Sequence, residues 1–592
     1  VENNAALRIF NATAIDNEAS GTGNGGFLSA HFGGHIVLHN VKVSGTQSGP
    51  GGGGGAISAL ATKMTLNQVL INNCSAGSRG GGGILLDGAS SLDLVSGCTL
   101  SKNVATLESY GGHIRMASSK LRVHSMSTAT NYIVEASSPA FPETETLNPS
   151  STSAFLGTRF IHGTASSGGG IFCSSAKSPL LGIRLASSTV MTFNSATGNR
   201  GGGALALALC DADVQGAEFT NNIASRGSGG AASLEADVKF TATRGSMFKG
   251  NHASGSGGAL SCDHCVSILL NGSTLFEKNV AGMHGGAIRV LNPASKITRS
   301  LGSVFQSNTA KDGDGGAVYV VQASVAEGSA DRTSRGEWTS ADKFDSNVAV
   351  EGSGGSIYAV GTLIVFKNGS VCSNNRAMKG GGGCILWEPL AVGADSTTWR
   401  SRAPSIVPDP DMFFFGNVAA YGNDQATPPV SLILLNEISA APAGGGVLDP
   451  PPRVQLVDLY KSPVLGRRAG NVEINVNMVG NDAPSSGGAF IAGGVIAPSN
   501  TPSGNAVFES LNLFGKPGSG PYALLYYATI QVGDTSSFSA SRYVDSSASR
   551  FAASVDGCPE ETPRVAGNDC IEADWKLAED CADDEYLDDR DP

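Results

Sequence analysis

A pair of glycines returns about every 28 residues through the first two thirds of this chain. The last Gly of each pair or run falls at Gly26, Gly55, Gly83, Gly112, Gly170, Gly203, Gly230, Gly258, Gly286, Gly316, Gly355 and Gly383. The interval from Gly112 to Gly170 is twice the usual one and reads as two periods with a pair missing. Small apolar residues usually follow, as in Gly-Gly-Ala259-Leu260 and Gly-Gly-Ala317-Val318. Self-similarity at a fixed short period is the signature of a stacked repeat fold that grows in one dimension.

A second motif keeps phase with the first. An apolar residue stands three before an Asn in Leu70…Asn73, Leu100…Asn103, Met191…Asn194, Phe219…Asn222, Phe248…Asn251, Phe276…Asn279, Phe305…Asn308, Phe344…Asn347, Val371…Asn374 and Phe414…Asn417. Weaker copies sit at Ala14…Asn17 and near Val43, Met126 and Phe160, for about 14 turns in all. Short Val-, Leu-, Ile- and Thr-rich stretches such as Val266-Ser-Ile-Leu-Leu270 lie between the motifs and read as strands. No segment holds a helical i, i+3, i+4, i+7 apolar pattern, and a Gly pair in every copy would break helices. The expected fold is therefore all-β: a right-handed parallel β-helix of about 14 coils. At a coil spacing of about 4.8 Å it would be roughly 65 Å long.

The motif residues have physical roles in that geometry. Gly-Gly supplies a left-handed corner and lets coils approach closely. Phe219, Phe248, Phe276, Phe305, Phe344 and Phe414 are expected to stack inside. The Asn side chains are expected to form a ladder, each amide bonding its own corner and the Asn above. Near residues 131–160 the Gly pair is missing and Pro139, Pro142 and Pro149 suggest an excursion; the spacing also stretches at 317–343 and 385–413.

The period ends near residue 427. The expected organisation is a β-helix over 1–426, a Pro/Gly-rich linker over 427–452, an immunoglobulin-like β-sandwich over 453–553, and a short acidic tail over 554–592. Alternating strands are read at Val454–Val457, Val472–Val476, Ala506–Phe508, Leu511–Leu513 and Tyr522–Tyr526. Cys558, Cys570 and Cys581 in the tail suggest the start of a Cys-rich module.

The chain has 592 residues and a net charge of −12, which argues against nucleic acid and anionic membranes as partners. No apolar run is long enough to span a bilayer as a helix. Eleven Cys are too sparse for a disulfide scaffold. Local bridges are expected at Cys262–Cys265 and Cys372–Cys384. A zinc reading of Cys262-Asp-His264-Cys265 lacks a second ligand pair. His31, His35 and His39 have helical spacing in a strand-like segment, which disfavours a metal site. Asp312-Gly-Asp314 starts like a Ca²⁺ loop without its later ligands and reads as a solvated turn. No catalytic residue or cofactor is assigned, although β-helices also host polysaccharide lyases and hydrolases. Sequons occur at Asn11, Asn73, Asn271 and Asn368; Asn73 is the weaker glycan candidate because it is read as a buried ladder residue.

Gly285-Gly286-Ala287-Ile288 with Phe276…Asn279 resembles the polymorphic outer-membrane-protein repeat family, defined by Gly-Gly-Ala-Ile and Phe-x-x-Asn. The resemblance covers about residues 7–424. Its last copy, Phe414…Asn417-Val-Ala-Ala-Tyr421-Gly422-Asn423-Asp424, is similar to versions in algal and protist surface proteins. Residues 453–532 resemble immunoglobulin- or filamin-type modules. The resemblance implies a secreted structural or adhesive glycoprotein, with flagellar-hair (mastigoneme) proteins as one such class. Self-assembly or other extracellular structural proteins are the expected partners, with glycans as a further one. Because a coil begins near Leu7-Arg8-Ile9 without an evident cap, head-to-tail or lateral assembly is expected, with the sandwich able to cover the other end. The alternatives are a glycan- or host-binding adhesin and a polysaccharide-acting enzyme.

Overall fold

The computed structural model describes residues 5–106, 108–124, 157–176, 182–291, 297–321, 337–340, 342–366, 369–388, 413–436, 441–442, 446–465, 472–479, 490–494, 496–498, 503–514, 522–535, 538–545 and 551–553. Two compact units share these residues. The first takes those within 5–378, 383–385 and 413–418; the second takes those within 379–382, 386–388 and 419–553.

The first unit is a parallel β-solenoid, and one turn shows how the repeat builds it. Lys239–Thr243, Met247–Lys249, His252–Ala253 and Leu260–Asp263 are the four strands of that turn. Each pairs in parallel with its counterpart one turn on, at 267–271, 275–277, 280–281 and 288–291. The four resulting faces hold 12, 13, 13 and 11 strands, which makes eleven to thirteen turns rather than fourteen. The missing turn is the copy placed near Met126, a residue outside those described. Leu100 pairs directly with Phe160, and Ile114 with Ile171, so no rung lies between them. The long interval from Gly112 to Gly170 is thus one turn with an inserted segment, not two periods.

Alternation along each strand sends every second side chain inward. On the three-residue strands between the first and last turns the central residue is buried, so one position per turn makes a column. There Phe219, Phe248, Phe276, Phe305 and Phe344 stack at centroid distances of 4.8, 4.8, 4.9 and 4.9 Å, with planes 4–6° apart. The ring spacing equals the strand spacing because register leaves no other choice. Phe414 does not join them: Phe344 pairs with Cys372, and Cys372 with Phe414, so a cysteine interrupts the rings. Replacing Phe276 with Leu should cost about 1–2 kcal/mol, from lost ring contact and imperfect filling. A shift below ~0.5 kcal/mol in urea titrations would show that the stack is not tightly packed.

The two glycines do different work. Gly257 has φ +65°, a conformation that side-chain-bearing residues rarely adopt, and so turns the corner into Leu260–Asp263. Gly258 has ordinary φ but no room, since a Cβ there would stand 2.1 Å from the Gly286 carbonyl oxygen of the next turn.

From Ser431 onward the second unit is antiparallel. Arg453–Val457 pairs with Ser431–Leu434 and Asn505–Val507. Leu511–Phe514 pairs with Gly446–Val447 and Phe490–Gly493. The 14-residue strand Tyr522–Thr535 pairs with Glu473–Val479, Phe538–Asp545 and Phe551–Ala553. Val454, Leu456, Ile474, Phe508, Leu513, Leu524 and Tyr526 bury its core. Each of the five stretches read as strands overlaps one of these. The acidic tail, with Cys558, Cys570 and Cys581, lies outside the described residues.

Candidate functional site

The most organised polar feature is the Asn column beside the ring stack. Asn251 shows its chemistry. Its Oδ1 accepts the backbone N–H and the Nδ2–H of Asn222, both at 3.0 Å. Its Nδ2 donates to the Phe219 carbonyl at 2.9 Å and to Asn279 Oδ1 at 3.0 Å. Both donors and both lone pairs of the buried amide are therefore used. The same pattern runs through Asn194, Asn222, Asn251, Asn279, Asn308 and Asn347 to Asn375 and Asn417. Immediately before each of these rungs a residue sits in the left-handed region, including Asn221, Lys278, Ser307 and Ser346. Such a conformation costs on the order of 1 kcal/mol without glycine, and the ladder offsets it by fixing the corner amide.

Two expected rungs are displaced by one residue. Asn374 has φ +56° and makes the corner, while Asn375 is buried in the ladder. Likewise Asn73 is exposed with φ +53°, and Cys74 fills the rung, where its N–H donates to Asn103 Oδ1 at 2.9 Å. The inward residues of these turns are accordingly Cys372 and Ile71, not Val371 and Leu70. At Asn374-Asn375 adjacent asparagines make the phase ambiguous, at Cys74 the rung holds no asparagine to mark it, and a one-residue slip in a strand exchanges its faces.

One rung is absent, and a histidine replaces it. Gly163 stands at the ladder position above Asn103, where a Cβ would lie 2.2 Å from the Gly169 oxygen and 2.7 Å from His113 Nε2. His113 is fully buried and spans the gap, with Nδ1 3.0 Å from Asn103 Nδ2 and Nε2 3.0 Å from Asn194 Oδ1. Asn103 Nδ2 is a donor and Asn194 Oδ1 an acceptor, so the ring is the neutral Nε2–H tautomer. Burial pushes its pKa down to about 3, against a smaller upward pull from the Asn194 hydrogen bond. His113 follows its Gly pair where Ala259 and Ala287 follow theirs in other turns. The sequence signal is Gly-Gly-His113 in place of Gly-Gly-Ala, with Phe160-Ile-His-Gly163 in place of Phe-x-x-Asn.

Disulfides join Cys262 to Cys265 and Cys372 to Cys384. A third, Cys173–Cys210, carries no local sequence signal; it joins residues 37 apart in sequence that parallel register brings into adjacent turns. Cys74 and Cys98 are free and buried, and burial pushes the Cys98 thiol up to about 11. The Cys262–Cys265 bridge consumes both thiols of the Cys262-Asp-His264-Cys265 motif. His31 lies on a different sheet from His35 and His39, so the three do not converge. Asp314 is buried, and its Oδ1 accepts the Ser353 N–H at 2.6 Å. Among the described residues no three His, Cys, Asp or Glu side chains gather at one point, and no helix is long and apolar enough to cross a membrane.

Of the sequons, Asn11 and Asn271 are exposed, and Asn368 lies outside the described residues. Asn73 is exposed as well, which removes the reason for ranking it below the others. Expressed in a glycosylating host, the chain should carry glycan at one or more of Asn11, Asn73 and Asn271. An intact mass unchanged by glycosidase would contradict this.

No family model, curated protein or solved structure matches this chain.

Proposed function

We propose that this chain is an extracellular structural glycoprotein that forms or decorates a surface filament or layer. The observation that carries the reading is the use of the repeat's polar side chains. From Asn194 to Asn417 each turn spends its buried amide on the next turn, beside a ring stack of matching pitch. That arrangement rewards stiffness along the stacking axis. Three disulfides suit an oxidising compartment, and exposed sequons suit passage through a secretory route. The similarity of the repeat to algal and protist surface proteins favours a mastigoneme-type fibre. An immunoglobulin-like module in the second unit would add an interaction domain.

The test is compositional. Purified surface filaments from the source organism, analysed by mass spectrometry and immunogold labelling, should contain this chain as a regularly spaced subunit. Recovery only as a diffusing monomer absent from every fibre fraction would overturn the reading.

A further inference from the structure

One face of the solenoid's first six turns gathers cations. Its strands are Ala6–Phe10, His35–His39, Lys63–Asn67, Ser91–Ser96, Lys120–Val123 and Gly182–Leu185, parallel and adjacent. Register sets His35 beside Lys63, Lys63 beside Ser91, and Ser91 beside Lys120. Farther along the strands, Asp93 lies beside Arg122, and Arg122 beside Arg184. With Arg8 on the first strand, these six strands carry five Lys and Arg against one carboxylate, Asp93. The whole chain has a net charge of −12, so the remainder outside this strip is more acidic still.

Packing does not require this concentration of charge. The inward positions of these strands are filled by Ile36, Met64, Leu92, Leu121 and Ile183, all buried. Asp93 is buried and engaged by His124 Nε2 at 3.1 Å. Arg184 reaches Asp213 at 3.3 Å, whereas among the described residues Lys63, Lys120 and Arg122 form no ion pair. The repulsion is felt locally: burial, then Arg122, holds Lys120 below its ordinary pKa, and burial, Lys63 and Arg8 do the same to His35. At about 4.8 Å per strand the strip is roughly 24 Å long and narrow. Phe10, 50 % exposed, stands on its first strand with the His39 ring 6.0 Å away.

We propose that this face binds a linear anionic polysaccharide along the stacking axis, its charged groups over Lys63, Lys120, Arg122 and Arg184 and a sugar ring against Phe10. Separated cations in a row match anionic groups repeated along a single chain, and an exposed ring suits the C–H face of a sugar. A bilayer or duplex presents broad negative charge, which the acidic remainder of this molecule repels. The proposal goes beyond the filament reading and does not depend on it, because binding is measured on the isolated chain.

The full chain is titrated with dextran sulfate, polygalacturonate and neutral dextran at low salt. Binding to at least one acidic polymer and not to neutral dextran is expected, weakening steeply with salt. Lys63→Gln with Arg122→Gln should weaken it tenfold or more, while Lys249→Gln, at an ion pair on another face, should leave it unchanged. Unaltered melting of all variants separates lost contacts from lost fold. Preference between the two acidic polymers identifies sulfate or carboxylate as the recognised group. The proposal is overturned by absence of binding to both, by insensitivity to the double substitution, or by equal or tighter binding to duplex DNA or phosphatidylserine vesicles.

Discussion

Asn279→Ala is expected to destabilise the solenoid by about 3–6 kcal/mol, although the substitution removes no charge and leaves the backbone free to keep its path. The loss comes from the partners. Without Oδ1, the Asn251 N–H and Nδ2–H have no acceptor, and without Nδ2 the Phe248 carbonyl loses a donor. Each stranded buried group costs about 1–3 kcal/mol. Asn279→Asp should do comparable damage, because a carboxylate there would face the Asn308 Oδ1 without the donor that now joins them. Urea titration of the full chain measures this. A change under ~1 kcal/mol would mean that water reaches the ladder and that its closure is not what holds consecutive turns.

His113 should make the solenoid sensitive to acid in a particular window. Its folded pKa of about 3 lies below the ordinary 6.5, so the fold demands the neutral ring while the unfolded chain accepts a proton. The stabilisation is therefore complete above about pH 6.5, falls as the pH drops toward 3, and changes no further below that. The full excursion is on the order of 5 kcal/mol. His113→Phe fills similar space but leaves Asn103 Nδ2 and one Asn194 lone pair unmatched, at a cost of about 2–4 kcal/mol at pH 7. It also removes the titration, so the gap between variant and wild type should narrow between pH 6.5 and 3. Parallel stability curves across that range would exclude a neutral buried histidine at the missing rung.

The parts of the fold that are legible in the chain itself are those where one residue type has one use. Glycine pairs in phase with Asn leave a parallel β-helix as the arrangement that stacks them, and Phe276 and Asn279 take their places by alternation alone. Legibility fails where chemistry is degenerate. Asn374-Asn375 offers two candidates for one rung, and strand pairing through Cys372 selects Asn375, whereas at Asn72-Asn73 pairing through Ile71 selects neither and gives the rung to Cys74. It fails again where a role is transferred: nothing local to Gly163 says that His113, from an earlier turn, will fill its space. Cys173 and Cys210 are likewise unremarkable until their strands pair in adjacent turns and the disulfide joins them, although register sets Cys173 beside Leu207 and Cys210 beside Ala176. The cation strip is a feature of the same kind, since Lys63, Lys120, Arg122 and Arg184 are scattered in sequence and gathered only across turns.

The amino-acid sequence by itself determined the solenoid and its period, the inward Phe and Asn columns, and the change to antiparallel strands after residue 427. These follow from spacing, alternation and backbone restrictions, which act over short stretches of chain. The tertiary structure decided which Asn of a pair is buried, how many turns a long interval holds, which cysteines meet, and how His113 repairs the ladder. Each of these depends on register between turns a full repeat or more apart in sequence, and register is set by the summed packing of whole strands rather than by any one of them.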